Sequence, residues 1–202
     1  MLKSSQKKVI KIFRQHHGLL RTGEAIQLGI RPATLYSLCD AGILERAGWG
    51  LYQLVQASDT AQPDLVVVAS QVPQAVICLV SALAFHELTT QIPHAVDIAI
   101  DVHARRPALD YPPVRVFFFS GPALRAGVET QIIAGRPVPI TSPEKSIADA
   151  FKYRHKIGRE VALEALKAYL RRRSRPQVEK LLEYARVCRV EKVMRPYLEA
   201  WL

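Results

Sequence analysis

The chain is predicted to fold in the α+β class, as an N-terminal winged helix-turn-helix followed by a mixed α/β domain with a helical C-terminal layer. Three observations predict this. The first 55 residues carry three apolar patterns of helical spacing, then two short strand-like runs around a glycine-bearing turn. The middle of the chain alternates short β-rich runs with proline-rich turns, and eight of the thirteen prolines fall between Pro93 and Pro143. From Ser142 onward apolar stripes return at helical spacing. With 202 residues, 49% hydrophobic and 23% charged, the composition is that of a folded protein of one domain or two small ones. The polar stretch from Gln56 to Gln62 holds no large apolar side chain and reads as a linker. The expected domains are therefore residues 1–56 and 62–202.

Within residues 5–17, Val9, Ile12, Phe13 and His16 share one face of an amphipathic helix, and Lys7, Lys11 and Arg14 form a separate stripe. Gly18 ends it. Thr22 is expected to cap a short second helix bearing Ala25, Ile26 and Leu28. Pro32 suits the first position of a third helix, where its missing N–H costs nothing. Leu35 and Leu38 point inward there, Thr34 and Ser37 point elsewhere, and Gly42 terminates the helix. Residues 43–46 and 51–54 are expected to pair as a hairpin around Ala47-Gly48-Trp49-Gly50.

Leu65 to Ala69 leaves helix and strand both open. Residues 75–79 read as a buried strand and 81–88 as a helix. Strands are expected over 95–100, 114–119, 129–133 and 137–140. Ser142 and Pro143 open a helix with Ile147, Ala148 and Phe151 inward. Further stripes follow Gly158, Pro176 and Arg189, and Pro196 is expected to break or kink the last helix near Arg195.

The formal charge is +10, which favours polyanions. Residues 1–55 contribute +5, residues 56–140 contribute −2 and residues 141–202 contribute +7, so two basic ends flank a nearly neutral middle. A helix that enters a major groove about 12 Å wide must expose small or polar side chains. Thr34 and Ser37 are such residues, Tyr36 reaches further, and Arg31 stands at the helix start. Lys7, Lys11, Arg14 and Arg21 are placed to meet phosphates, which orient a protein on DNA without reading sequence. Arg46 and Trp49, on the hairpin, complete the candidate set. A second basic group comprises Lys152, Arg154, Lys156 and Arg159 near one helix end and Arg171, Arg172, Arg173 and Arg175 near another. It reads as a possible partner surface or second nucleic-acid patch.

Several other classes are disfavoured. No apolar run approaches the roughly 20 residues that span a bilayer, and the first residues lack the apolar stretch of a secretory signal. Cys39, Cys78 and Cys188 are far apart and odd in number, so neither a disulfide framework nor a zinc spacing follows and a reducing cytoplasm is expected. The histidines form no metal-binding motif, no glycine-rich phosphate loop occurs, and no serine has an evident base. Asp97 and Asp101 lie four apart on one strand, about 13 Å along it, too far to share a metal. Asp97 itself reads as a solvated acid at a strand end. No catalytic residue, cofactor or metal is expected.

Gly42-Ile43-Leu44-Glu45-Arg46 with Gly50-Leu51-Tyr52, the run from Pro73 to Leu83, and His86-Glu87-Leu88-Thr89 are followed by the run from Ile140 to Asp149 and by Phe151-Lys152-Tyr153-Arg154. In that order these segments resemble the AbiEi family of abortive-infection antitoxins and transcriptional regulators of type IV toxin–antitoxin systems. The resemblance implies a cytoplasmic phage-defence protein whose winged domain binds inverted repeats in its own promoter and represses the operon. It implies a second domain that opposes a nucleotidyltransferase-type toxin without needing a stable complex. Carried onto this chain, the base- and backbone-contacting positions are Thr22, Arg31, Thr34, Tyr36, Ser37 and the wing from Gly48 to Gly50, where Trp49 stands in place of a basic residue. The alternatives are an antitoxin acting by protein contact without useful DNA affinity, and a stand-alone winged-helix regulator.

Overall fold

The architecture is taken from a computed structural model that describes residues 4–55, 62–172 and 176–201. Residues 56–61 of the expected linker lie outside the described residues. Helices and sheets are mixed, and the chain divides into two compact units. The first comprises residues 1–73, 109–112 and 132–137; the second comprises 74–108, 113–131 and 138–202.

The first unit begins with α1 (Ser4–Gln15), β1 (Leu19–Arg21), α2 (Thr22–Gln27) and α3 (Pro32–Asp40). It continues through β2 (Leu44–Gly48), β3 (Leu51–Leu54) and α4 (Pro63–Gln71). The three strands form an antiparallel sheet in the order β1-β3-β2, with Leu20 opposite Tyr52 and Arg46 opposite Tyr52 from the other side. Val9, Phe13, Leu20, Ala25, Ile30, Leu35, Leu38, Leu44, Tyr52 and Leu54 make one buried cluster. Each helix thus gives one or two apolar residues per turn to a small core, and the remaining faces stay outside. His16 is a correction: α1 stops at Gln15, so His16 leaves the apolar face and is exposed. Thr22 is another. Arg21 holds the N-cap position, and its N–H donates to Glu24 Oε2 at 2.8 Å. Of the apolar side chains of the second helix only Ala25 is buried; Ile26 and Leu28 are exposed. The ambiguous run at Leu65 resolves as helix α4, which buries Leu65, Val66, Val67 and Val68.

The second unit starts with β4 (Val76–Ile77) and α5 (Leu79–Phe85), a shorter strand and an earlier helix than expected. Next come β5 (Val96–Asp101), β6 (Val114–Phe119) and a short helix α6 (Gly121–Arg125) that the sequence did not announce. Then follow β7 (Val128–Ile133), β8 (Arg136–Thr141), α7 (Pro143–Lys152) and α8 (Arg154–Ile157). The chain ends with α9 (Arg159–Arg172), α10 (Val178–Val187) and α11 (Glu191–Trp201). The five-stranded sheet has the order β6-β5-β4-β8-β7, parallel between β5 and β6 and between β4 and β8, antiparallel between β4 and β5. A helical core gathers Ile147, Phe151, Leu166, Tyr169, Leu181, Met194 and Leu198 from α7, α9, α10 and α11. Pro196 does not break α11, which runs through it. Pro196 and Lys192, one turn earlier, are both exposed, so water can take the carbonyl that the proline leaves unpaired.

Asp97 is the main correction in this unit. It is fully buried, not solvated. Arg115 lies opposite it across the parallel β5–β6 register and donates to both carboxylate oxygens, at 2.7 and 2.8 Å. Val80 N–H adds a third bond at 3.0 Å. Burial pushes this carboxyl up from its ordinary range against the pull of the guanidinium.

Candidate nucleic-acid interface

Helix α3 begins at Pro32 with Arg31 at its N-cap, and the αL glycine Gly42 follows its end. Leu35 and Leu38 anchor it at full burial. Arg31, Tyr36 and Ser37 are exposed and Thr34 is half-buried. Asp40 is its single acidic residue and sits at its last position. The exposed face of α3 therefore offers a guanidinium, two hydroxyl groups and a phenol without a carboxylate ahead of Asp40.

Tyr36 and Arg46 act as a pair. The Arg46 guanidinium carbon lies 5.4 Å from the centre of the Tyr36 ring, so the hairpin strand β2 and helix α3 present one continuous polar-aromatic surface. Next to them, burial pushes the pKa of the Tyr52 phenol up, which keeps it neutral.

The turn between β2 and β3 projects Trp49, whose relative exposure is 95%. Its flanking glycines have distinct reasons. A Cβ on Gly48 would collide with the Gln71 side-chain amide, which donates to the neighbouring Ala47 carbonyl at 3.3 Å. Gly50 has φ +62°, a conformation L-residues avoid. The Gly50 carbonyl accepts both the Thr22 N–H at 2.8 Å and the Thr22 hydroxyl at 3.1 Å. Thr22 thus fixes the turn to the start of α2, and its hydroxyl proton is already engaged.

Lys7, Lys11 and Arg14 lie along the exposed side of α1, as their spacing required, and Arg21 is exposed at the end of β1. Lys8 is exposed as well. The sequence reading omitted it, although its three-residue spacing from Lys11 was the available signal. No ion pair among the described residues involves Lys7, Lys8, Lys11, Arg14, Arg31 or Arg46. Arg136 is different: within this unit it donates to Glu24 Oε1 at 2.9 Å and Oε2 at 2.8 Å and to the Leu19 carbonyl at 2.7 Å.

The second basic group separates into parts. Lys152 Nζ stands 5.0 Å from the Phe119 ring centre and 5.8 Å from that of Tyr153; Lys156 Nζ stands 5.6 Å from Tyr153. Arg154 Nη1 donates to the Phe151 carbonyl at 2.8 Å, which closes the end of α7. Arg159 is exposed at the start of α9; Arg171 and Arg172 are exposed at its other end, about 20 Å along the axis. Arg172 pairs with Glu87 at 3.1 Å. Arg173 and Arg175 lie outside the described residues. Among the described residues no group of three or more His, Cys, Asp or Glu is placed to hold a metal, and no helix is long and apolar enough to cross a membrane.

Comparison with known proteins centres on the same segment. Residues 7–55 match the AbiEi_4 family, described as "Transcriptional regulator, AbiEi antitoxin". That AbiEi match covers α1 to β3, the elements that carry every candidate contact in the first unit. No curated protein matches the chain. The structure is similar to that of the RV2827C protein from Mycobacterium tuberculosis, with TM-score 0.64 and 14% identity over 91% of this chain and 72% of that one. At this identity the likeness concerns the fold, and it extends well beyond the AbiEi segment.

Proposed function

We propose that the protein is a sequence-specific DNA-binding repressor and antitoxin of the AbiEi type. Its first unit is a winged helix-turn-helix with α2 and α3 as the helix pair and the β2–β3 hairpin as the wing. The observation that carries this reading is the exposed face of α3, with Arg31, Thr34, Tyr36 and Ser37 outward on two fully buried leucine anchors and unpaired cations around it. Helix α3 enters the major groove, where Arg31 and the hydroxyl-bearing side chains read base edges. Lys7, Lys11, Arg14 and Arg21 hold phosphates. Arg46, stacked on Tyr36, and Trp49 meet the backbone or the adjoining groove.

The DNA is the promoter of the protein's own operon, bound at inverted repeats. The second unit opposes a nucleotidyltransferase-type toxin. A gel-shift assay with the region upstream of the gene, against unrelated DNA of equal length, tests the reading. Selective retention of the upstream fragment, weakening steeply with salt, is the expected result. Equal affinity for both fragments would refute base reading, and co-purification with a neighbouring gene product without DNA affinity would favour a protein-contact antitoxin.

A further inference from the structure

The second unit contains a cavity of about 370 Å³ that the DNA-binding reading does not use. Two of its lining residues are cationic, Lys152 at the end of α7 and Arg189 after α10, and Ser120 adds a hydroxyl. Pro122, Ala123 and Val187 supply apolar lining, and the buried Cys188 completes it. No lining residue is acidic. Neither Lys152 nor Arg189 makes an ion pair among the described residues. Arg189 is held at φ +59°, an uncommon conformation for a residue with a side chain.

Charge around Cys188 is already balanced. Lys145 Nζ donates to Asp149 Oδ1 at 2.5 Å and to Oδ2 at 2.6 Å, with both side chains buried. The Cys188 thiol donates to Asp149 Oδ1 at 3.2 Å, and burial pushes its pKa up to about 12, so it adds no negative charge. The two cations at the cavity therefore have no carboxylate paired to them among the described residues, Lys152 resting only against the Phe119 and Tyr153 ring faces, in a space whose size falls in the range of small-molecule sites, roughly 300–1,000 Å³. Its volume equals that of about a dozen liquid waters, at about 30 Å³ each. A bare phosphate would leave most of it empty.

We propose that this cavity binds a small organic phosphomonoester, with its phosphate between Lys152 and Arg189 and its organic body against Pro122, Ala123 and Val187. Charge-assisted bonds to the two cations supply orientation, and the apolar lining separates an organic phosphate from the free ion. The cavity is lined only by residues of the second unit.

Calorimetric titration of the full chain tests this, with adenosine 5′-monophosphate, glycerol 3-phosphate, inorganic phosphate and adenosine as probes. At least one of the two phosphomonoesters is expected to bind at least tenfold more tightly than inorganic phosphate, and adenosine not to bind. Lys152→Gln with Arg189→Asn is expected to weaken that binding at least tenfold, whereas Arg171→Gln with Arg172→Gln, outside the cavity, leaves it unchanged. Arg189→Asn alone is the second variant, since asparagine tolerates the left-handed backbone there; it is expected to weaken binding severalfold with the unfolding temperature retained. The proposal is overturned if neither phosphomonoester binds at about 10 mM, if inorganic phosphate binds as tightly, or if Arg189→Asn has no effect.

Discussion

In the first unit Lys7, Lys11, Arg14, Arg31 and Arg46 stand at the surface with no ion pair among the described residues; in the second, Lys145 is committed to Asp149 and Arg115 to Asp97, both carboxylates fully buried. The same residue types carry different consequences. A surface cation of the first unit contributes almost nothing to folding, because water and salt solvate it as well as any neighbour. It is available to a polyanion for the same reason. Lys145 in the second unit is out of reach of a partner, and its loss strands a carboxylate in a medium that solvates charge poorly. The Lys145–Asp149 pair cancels within residues 141–202, so the +7 of that segment is carried by its other side chains.

The largest effect that this contrast demands is at Lys145. Lys145→Met is expected to lower stability by about 3–5 kcal/mol in urea unfolding, because Asp149 stays buried without its cation. Lys145→Met with Asp149→Leu should recover much of the loss; equal damage in the single and double variants would break the contrast. Arg31→Ala is expected to cost about 1–3 kcal/mol in affinity for the upstream DNA and to relax selectivity. Its unfolding free energy should stay within about 0.5 kcal/mol of the parent. Smaller still, Lys7→Gln and Lys11→Gln should each reduce the slope of log affinity against log salt by about 1, with selectivity unchanged.

The smallest effect concerns Glu24. Arg136 beside it holds its carboxyl below the ordinary carboxylate range. A depressed folded pKa means that this contribution is full above the unfolded value, about 4.3, and disappears as pH falls through the folded one. Glu24 is partly exposed, so screening keeps the contribution below about 1 kcal/mol. Thermal unfolding from pH 6 to 3 should show a shallower acid decline in Glu24→Gln than in the parent.

Much of α3 and the hairpin was legible because local signals agreed. Pro32 and Gly42 bracket a helix, Leu35 and Leu38 mark its inner face, and glycines mark the turn beside Trp49. Strand β1 was not legible: three residues carry no alternation, and pairing with β3 is what makes Leu19 to Arg21 a strand. Asp97 was misread because its partner lies eighteen residues on and arrives only through the β5–β6 register. Lys145 and Asp149 have the i,i+4 spacing of an ion pair, but nothing local says whether that face meets water or α10. The exposure of α3 followed from its pattern; the stacking of Arg46 on Tyr36 depends on how the hairpin folds back and had no sequence signature.

One consequence of the Thr22–Gly50 tie is practical. The indole between the two turn glycines is held on a short, doubly bonded stalk and surrounded by solvent, and the chain has only two tryptophans. With Trp201 replaced by Phe, the protein would carry a single tryptophan, on the exposed β2–β3 turn. Under the proposed function, its emission would report the approach of a duplex in real time, without any label attached.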